Sequence, residues 1–161
     1  MKKNLLLLTL MLTSIAFSSS TARIESFLKP LSSFCVITEL VVTKMHALQN
    51  DGSSWDMTSG PDVFFKIFNQ NDVIFESGVS NDLDVSNLPI SFKSKFPLTL
   101  PYLNNQYKVV FYDYEQGSLF KDDTYIDSYQ FNPKDFERKS KIEFSKENSN
   151  LKFAIFVEWE N

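Results

Sequence analysis

Residues 151–159 read L-K-F-A-I-F-V-E-W, and Leu151, Phe153, Ile155, Val157 and Trp159 all fall on one parity. Successive side chains of an extended chain point to opposite faces, so this spacing predicts a strand with one face buried. The pattern extends upstream. Short runs rich in Val, Ile, Phe, Tyr and Thr alternate with clusters of Asn, Asp, Ser and Gly. They predict strands at 36–47, 63–69, 73–76, 90–93, 95–100, 107–112, 124–131, 141–145 and 151–159. Asn71 and Asp72, set between two apolar runs, predict a hairpin turn. Outside the N-terminus no stretch sustains a 3.6-residue period, and 133–138 suits a single helical turn capped by Asn132. Eight or nine short strands predict an all-β fold, an antiparallel β-sandwich taken as eight-stranded, with function carried on the loops at one end.

Composition agrees. The 161 residues leave room for one domain, and 16 phenylalanines within a 15% aromatic share supply bulky side chains for a sheet interior. The formal charge of −4 includes no basic block, which argues against a nucleic-acid partner whose affinity would come from neutralised phosphates. Cys35 is the single cysteine, so an internal disulfide, a multi-cysteine zinc site and a redox pair are all excluded. His46 is the single histidine and lies in an apolar, strand-like stretch, where it reads as a sheet residue rather than part of a Ser-His-Asp relay.

At the N-terminus Lys2 and Lys3 precede the 13-residue apolar run 5–17, followed by the small, polar residues 18–22. This is the pattern of a cleaved export signal, and the run is short of the ~20 residues that span a bilayer. The predicted organisation is a signal peptide at 1–22, a leader at 23–34 and one domain at 35–161. The exported chain would be periplasmic, cell-surface or secreted. Losing Lys2 and Lys3 and no acid leaves fourteen basic against twenty acidic residues, a balance of −6. A lipid anchor at Cys35 is the rival reading. It is disfavoured by bulky Phe34 before the cysteine and by Arg23, Glu25 and Lys29 between Cys35 and the apolar run.

Carboxylates crowd into two loops. Residues 48–62 contain Asp51, Asp56 and Asp62, and residues 113–123 contain Asp113, Glu115, Asp122 and Asp123. Like charges gathered at a sheet end repel unless a cation or water separates them. Calcium, a hard cation wanting about six to eight oxygens, fits two such loops meeting at one end of a sandwich. Solvated turn-forming aspartates, with no bound ion, are the plainer alternative.

The stretch 55–67, W-D-M-T-S-G-P-D-V-F-F-K-I, resembles the first calcium loop and following strand of the C2 domain, the calcium-dependent, membrane-binding β-sandwich of synaptotagmins and conventional protein kinases C. Asp56 and Asp62 match the family's two aspartates six positions apart, although Pro61 precedes the second instead of following it. The stretch 112–126, Y-D-Y-E-Q-G-S-L-F-K-D-D-T-Y-I, is similar to the family's third loop. Asp113 takes the first ligand position, Glu115 replaces an aspartate at the second, and Asp122 or Asp123 takes the third. Ile126 is followed by Asp127 where the family has glycine. The resemblance implies that Asp56, Asp62, Asp113, Glu115 and Asp123 chelate calcium, with Asp51 and Asp122 as neighbours or replacements.

It also implies that apolar loop tips enter a membrane while calcium bridges carboxylates and lipid phosphates. Trp55, Met57, Leu119 and Phe120 stand at those positions; folding of Trp55 and Phe120 back onto the core is the equal alternative. Lys93 and Lys95 are similar to the basic strand that some members use for headgroups, or merely protect a sheet edge. The resulting expectation is a non-enzymatic, exported, calcium-binding C2-like module whose acidic loops bind a membrane, a cell-envelope structure or a protein. A metal-free structural or protein-interaction sandwich of the cell surface is the alternative. Asp56 and Asp113 also have the residue types of a glycosidase acid and base, but short connections leave little wall to hold and distort a sugar.

Overall fold

The computed structural model describes residues 32–49, 52–55, 60–115, 122–147, 149 and 151–161. The predicted signal peptide and most of the predicted leader lie outside them. The strands are β1 (Phe34–Met45), β2 (Val63–Asn69), β3 (Asp72–Glu76), β4 (Ile90–Phe92), β5 (Leu98–Leu100), β6 (Tyr107–Asp113), β7 (Thr124–Phe131), β8 (Lys141–Phe144) and β9 (Leu151–Glu160). One sheet runs β4-β1-β9-β8 with β5 also on β1, and the other runs β3-β2-β6-β7. Every pairing is antiparallel.

The predicted sandwich is therefore present, with nine strands among the described residues instead of eight. β4 and β5 explain the extra one. Both pair with β1, β4 along Leu40–Val42 and β5 along Cys35–Ile37, so they share one edge position. Between them five residues, 93–97, stand opposite only Thr38 and Glu39 and bulge out of the ladder. The expected strand at 95–100 is thus shortened to Leu98–Leu100, and Lys95 takes a left-handed φ of 69°.

β9 has the alternation its sequence predicts. Leu151, Phe153, Ile155 and Val157 are buried, whereas Lys152 and Glu158 face solvent. β1 buries Ile37, Leu40, Val42 and Met45, a spacing broken twice from strict period two. Register slips at Thr38 and Thr43 account for both breaks, and each threonine hydroxyl donates across to β9, to Phe156 O and Lys152 O. The bulges keep the apolar residues facing inward along a twisted twelve-residue strand.

The sheets meet through aromatic rings. Phe111 of β6 lies 4.9 Å from Phe153 of β9, which stacks on Phe144 of β8 at 4.6 Å with the planes 8° apart. Phe65 packs on Phe75, Phe92, Phe96 and Phe111. Each such ring stabilises the fold by roughly 1.5–3 kcal/mol through burial, and each well-placed pair adds about 0.5–1.5 kcal/mol.

The β2–β3 hairpin turns at Gln70–Asn71, one residue earlier than predicted, because Asn69 pairs with Asp72. Gln70 has φ 57°, a left-handed conformation that costs a residue bearing a Cβ about 1 kcal/mol. His46 lies just beyond β1 and is exposed, so it is not a sheet residue. The predicted single turn appears as a 3₁₀ segment, Pro133–Phe136, capped by the Asn132 side chain, which accepts from Lys134 N.

Candidate functional site

Antiparallel pairing of β2 with β6 places the start of one beside the end of the other, so Val63 lies opposite Asp113. Two hydrogen bonds extend the ladder outward: Tyr114 N donates to Asp62 O at 2.8 Å, and Asp62 N donates to Asp113 Oδ1 at 2.7 Å. Asp113 is 1% exposed, whereas Asp62 is half-buried. The strand-proximal ends of the two acidic stretches, at Asp62 and Asp113, therefore meet at one end of the β2–β6–β7 sheet.

A third segment joins them. Val63 forms a bridge with Ser80, Leu83 N donates to Pro61 O at 2.9 Å, and Asp82 N donates to Asp62 Oδ1 at 2.7 Å. Leu83 is buried and pins this segment to the core. Gly60 is required at the seam, because a Cβ there would sit 2.4 Å from Leu83 O. Beside the seam opens a cleft of about 340 Å³ lined by Ala47, Gly60, Pro61 and residues 82–85. Asp82 and Asp84 were missed in the sequence because S-N-D-L-D reads as an ordinary turn cluster; Asp84 in fact caps a 3₁₀ turn, and the hydrogen bond from Ser86 N lowers its pKa.

On the far side, Thr124 pairs with Asp113 and its hydroxyl donates to Glu115 Oε1 at 3.2 Å. Asp122 and Asp123 are exposed immediately before β7. Asp62, Asp113, Glu115, Asp122 and Asp123 thus all belong to the same end of the sandwich. Asp51, Asp56, Met57, Leu119 and Phe120 lie outside the described residues. Trp55 is not a tip: it is 7% exposed, packs in the hydrophobic core and donates its indole N–H to His46 O at 3.1 Å. A large ring beside apolar strands gains more from burial than from solvent, and the main-chain carbonyl satisfies its one polar atom.

The two lysines of the expected basic strand lie in the 93–97 bulge. Lys93 Nζ is 3.5 Å from Glu39 Oε1, and Lys95 Nζ donates to Glu76 O and Ser77 O. Cys35 is fully buried within β1, and burial pushes its thiol up to about 12. An acyl chain on Cys35 would require the residue to leave the core.

Among solved structures the sandwich is similar to one described as the structure of a C2 domain, with TM-score 0.53 and 12% identity over 80% of this chain and 98% of that one. It is similar also to a C2 domain of plant extended synaptotagmin 1, with TM-score 0.54 and 15% identity over 82% of this chain and 97% of that one. The chain has a C2-like fold. Human GIVD cytosolic phospholipase A2 shares it at TM-score 0.52 and 12% identity, and there the C2-like match covers 82% of this chain but only 18% of the enzyme. No family model and no curated protein matches the sequence.

The donor set at the loop end of this C2-like sandwich is all oxygen, which suits a hard cation and not a soft one. Its arrangement is less complete. Among the described residues no group of three or more His, Cys, Asp or Glu is placed to hold a metal ion. Asp62 and Asp113 each spend one carboxylate oxygen on a backbone amide. An ionised carboxylate has about four lone-pair sites, so a bond to one amide neither bars a cation nor requires one.

Proposed function

We propose that this chain is a non-catalytic, exported binding module that applies the loop end of its C2-like sandwich to a membrane surface, with calcium taken up between the two acidic loops. The observation that carries the reading is the contact of Asp62 with Asp113, which joins the loops at one pole of the sheet. Asp62, Asp113, Glu115 and Asp123 supply hard oxygen ligands there, and Asp56, with Asp51 beside it, is required to complete the set. Calcium would neutralise part of the carboxylate charge and let an acidic protein approach an anionic surface. With Trp55 in the core, apolar contact falls to Met57, Leu119 and Phe120. Co-sedimentation of the full chain with vesicles of mixed phosphatidylcholine and phosphatidylserine tests this. Calcium-dependent capture that is lost in Asp56→Asn is the expected result; equal recovery with calcium and with chelator contradicts it.

A metal-free interaction sandwich is the second reading. It is favoured by the use of Asp62 and Asp113 as acceptors for backbone amides, which lets the carboxylates hold three segments together without an ion. Calcium-independent capture would select it.

A further inference from the structure

The end of the β2–β6–β7 sheet opposite Asp62 and Asp113 holds a second cleft. β2 ends at Asn69, which pairs with Tyr107 at the start of β6, which in turn pairs with Phe131 at the end of β7. At ~3.3 Å per residue, this end lies on the order of 20 Å from Asp62 and Asp113. It holds a cleft of about 390 Å³ lined by Gln70, Asn71, Asn104, Asn105, Gln106 and Gln130, together with Lys108. Three separate chain segments thus converge six carboxamides and one cation, and no carboxylate lines the cleft.

The walls are fixed from behind. Leu103 is buried, Lys134 N donates to Leu103 O at 3.1 Å, and Asn105 N donates to Tyr102 O at 3.0 Å. Asn105 Nδ2 donates to Asn69 Oδ1 at 3.0 Å, and Asn132 Nδ2 donates to Asn104 O at 3.2 Å. Gln70, Asn71, Asn104, Gln106 and Gln130 nonetheless remain exposed. Tyr102, 60% exposed, heads the same turn. Lys108 lies 4.9 Å over the Phe68 ring, and no carboxylate among the described residues pairs with it.

The chemistry selects a ligand class. A carboxamide both donates and accepts, so an array of six matches a ligand whose groups also do both, which is a polyol rather than an ion. Lys108, half-buried as a residue, adds one positive charge to this array. We propose that this cleft is a saccharide-binding site, and that Lys108 selects a sugar bearing a carboxylate. Gln70 adds a second argument. The first position of a two-residue hairpin loop with positive φ favours glycine, yet this chain keeps a long amide there, at the lip of the cleft. A long side chain at a position whose backbone favours glycine points to a use for it. The inference does not depend on calcium or on the loop end.

Calorimetric titration of the full chain with tetragalacturonate, with maltotetraose as the neutral comparison, tests it. The expected result is saturable binding of tetragalacturonate, about tenfold stronger than maltotetraose, and weakened about tenfold by Gln106→Ala and by Lys108→Ala. Gln106 is exposed and Lys108 half-buried in β6, and an unchanged melting temperature verifies that both variants fold. Gln70→Gly is expected to raise the melting temperature while weakening binding. Binding of neither oligosaccharide at millimolar concentration overturns the proposal. Equal affinity for the two overturns the role of Lys108, and full affinity in Gln70→Gly overturns that of Gln70.

Discussion

Asp113 accepts the backbone N–H of Asp62 through a carboxylate that is 1% exposed. One side chain thereby fixes where β6 ends and where the loop before β2 ends. Because Asp62 in turn accepts from Asp82 N, a relay of two carboxylates ties three segments at the pole to which the binding role is assigned.

Removing the relay should loosen the pole before the core. Asp113→Ala leaves the Asp62 amide without its acceptor and is expected to lower stability by about 1–3 kcal/mol, whereas Asp113→Asn keeps an acceptor oxygen and should lose much less. Urea unfolding of the two variants checks this, and equal losses would assign the effect to charge instead of the hydrogen bond.

Gly60→Ala probes the same seam from the backbone. The added Cβ would meet Leu83 O at 2.4 Å, a main-chain atom that no rotamer change can move. Melting temperature should fall, and amide exchange should quicken first at Leu83 and Asp82. A variant as stable as the parent would show that the segments are not held in contact.

Trp55→Ala should cost about 3–5 kcal/mol as a core truncation, and Trp55→Phe much less, the loss being chiefly the hydrogen bond to His46 O. Vesicle capture by the folded Phe variant is expected to equal that of the parent. Reduced capture at equal stability would return Trp55 to the membrane face.

Acid stability should depend on Asp127. Burial raises its pKa, but hydrogen bonds from Lys146, Ser149 and Ser128 outweigh it and bring the group below its ordinary 3.8. A folded value beneath the unfolded one means stability present above about 3.8 and lost as pH falls through the folded value. Asp127→Asn should therefore destabilise at neutral pH, with the difference from the parent shrinking at acid pH. A difference independent of pH would rule out this linkage.

The sandwich was legible because β9 and β2 carry unbroken apolar patterns, and because the acidic stretches fall where strands stop. What stayed hidden has physical causes. The bulges at Thr38 and Thr43 shift faces through hydroxyls that bond across strands, which no periodicity registers. Lys93 and residues 95–97 read as the ends of two strands because they adjoin apolar runs, although the chain there leaves the ladder. The site was half legible. Asp62 and Asp113 stood out by spacing, whereas Asp82 reaches them only through the fold, and Trp55 reads equally as tip or core until its partner His46 O is seen. The carboxamide cleft assembles from turns far apart in the chain and has no local motif.

Calcium at the loop end is tested most directly by calorimetric titration of the chelator-stripped full chain, followed by Asp56→Asn and Asp62→Asn. Saturable calcium binding with a rise in melting temperature, both lost in the two variants, is the predicted result. No heat and an unmoved melting temperature at millimolar calcium would contradict it and leave the metal-free sandwich.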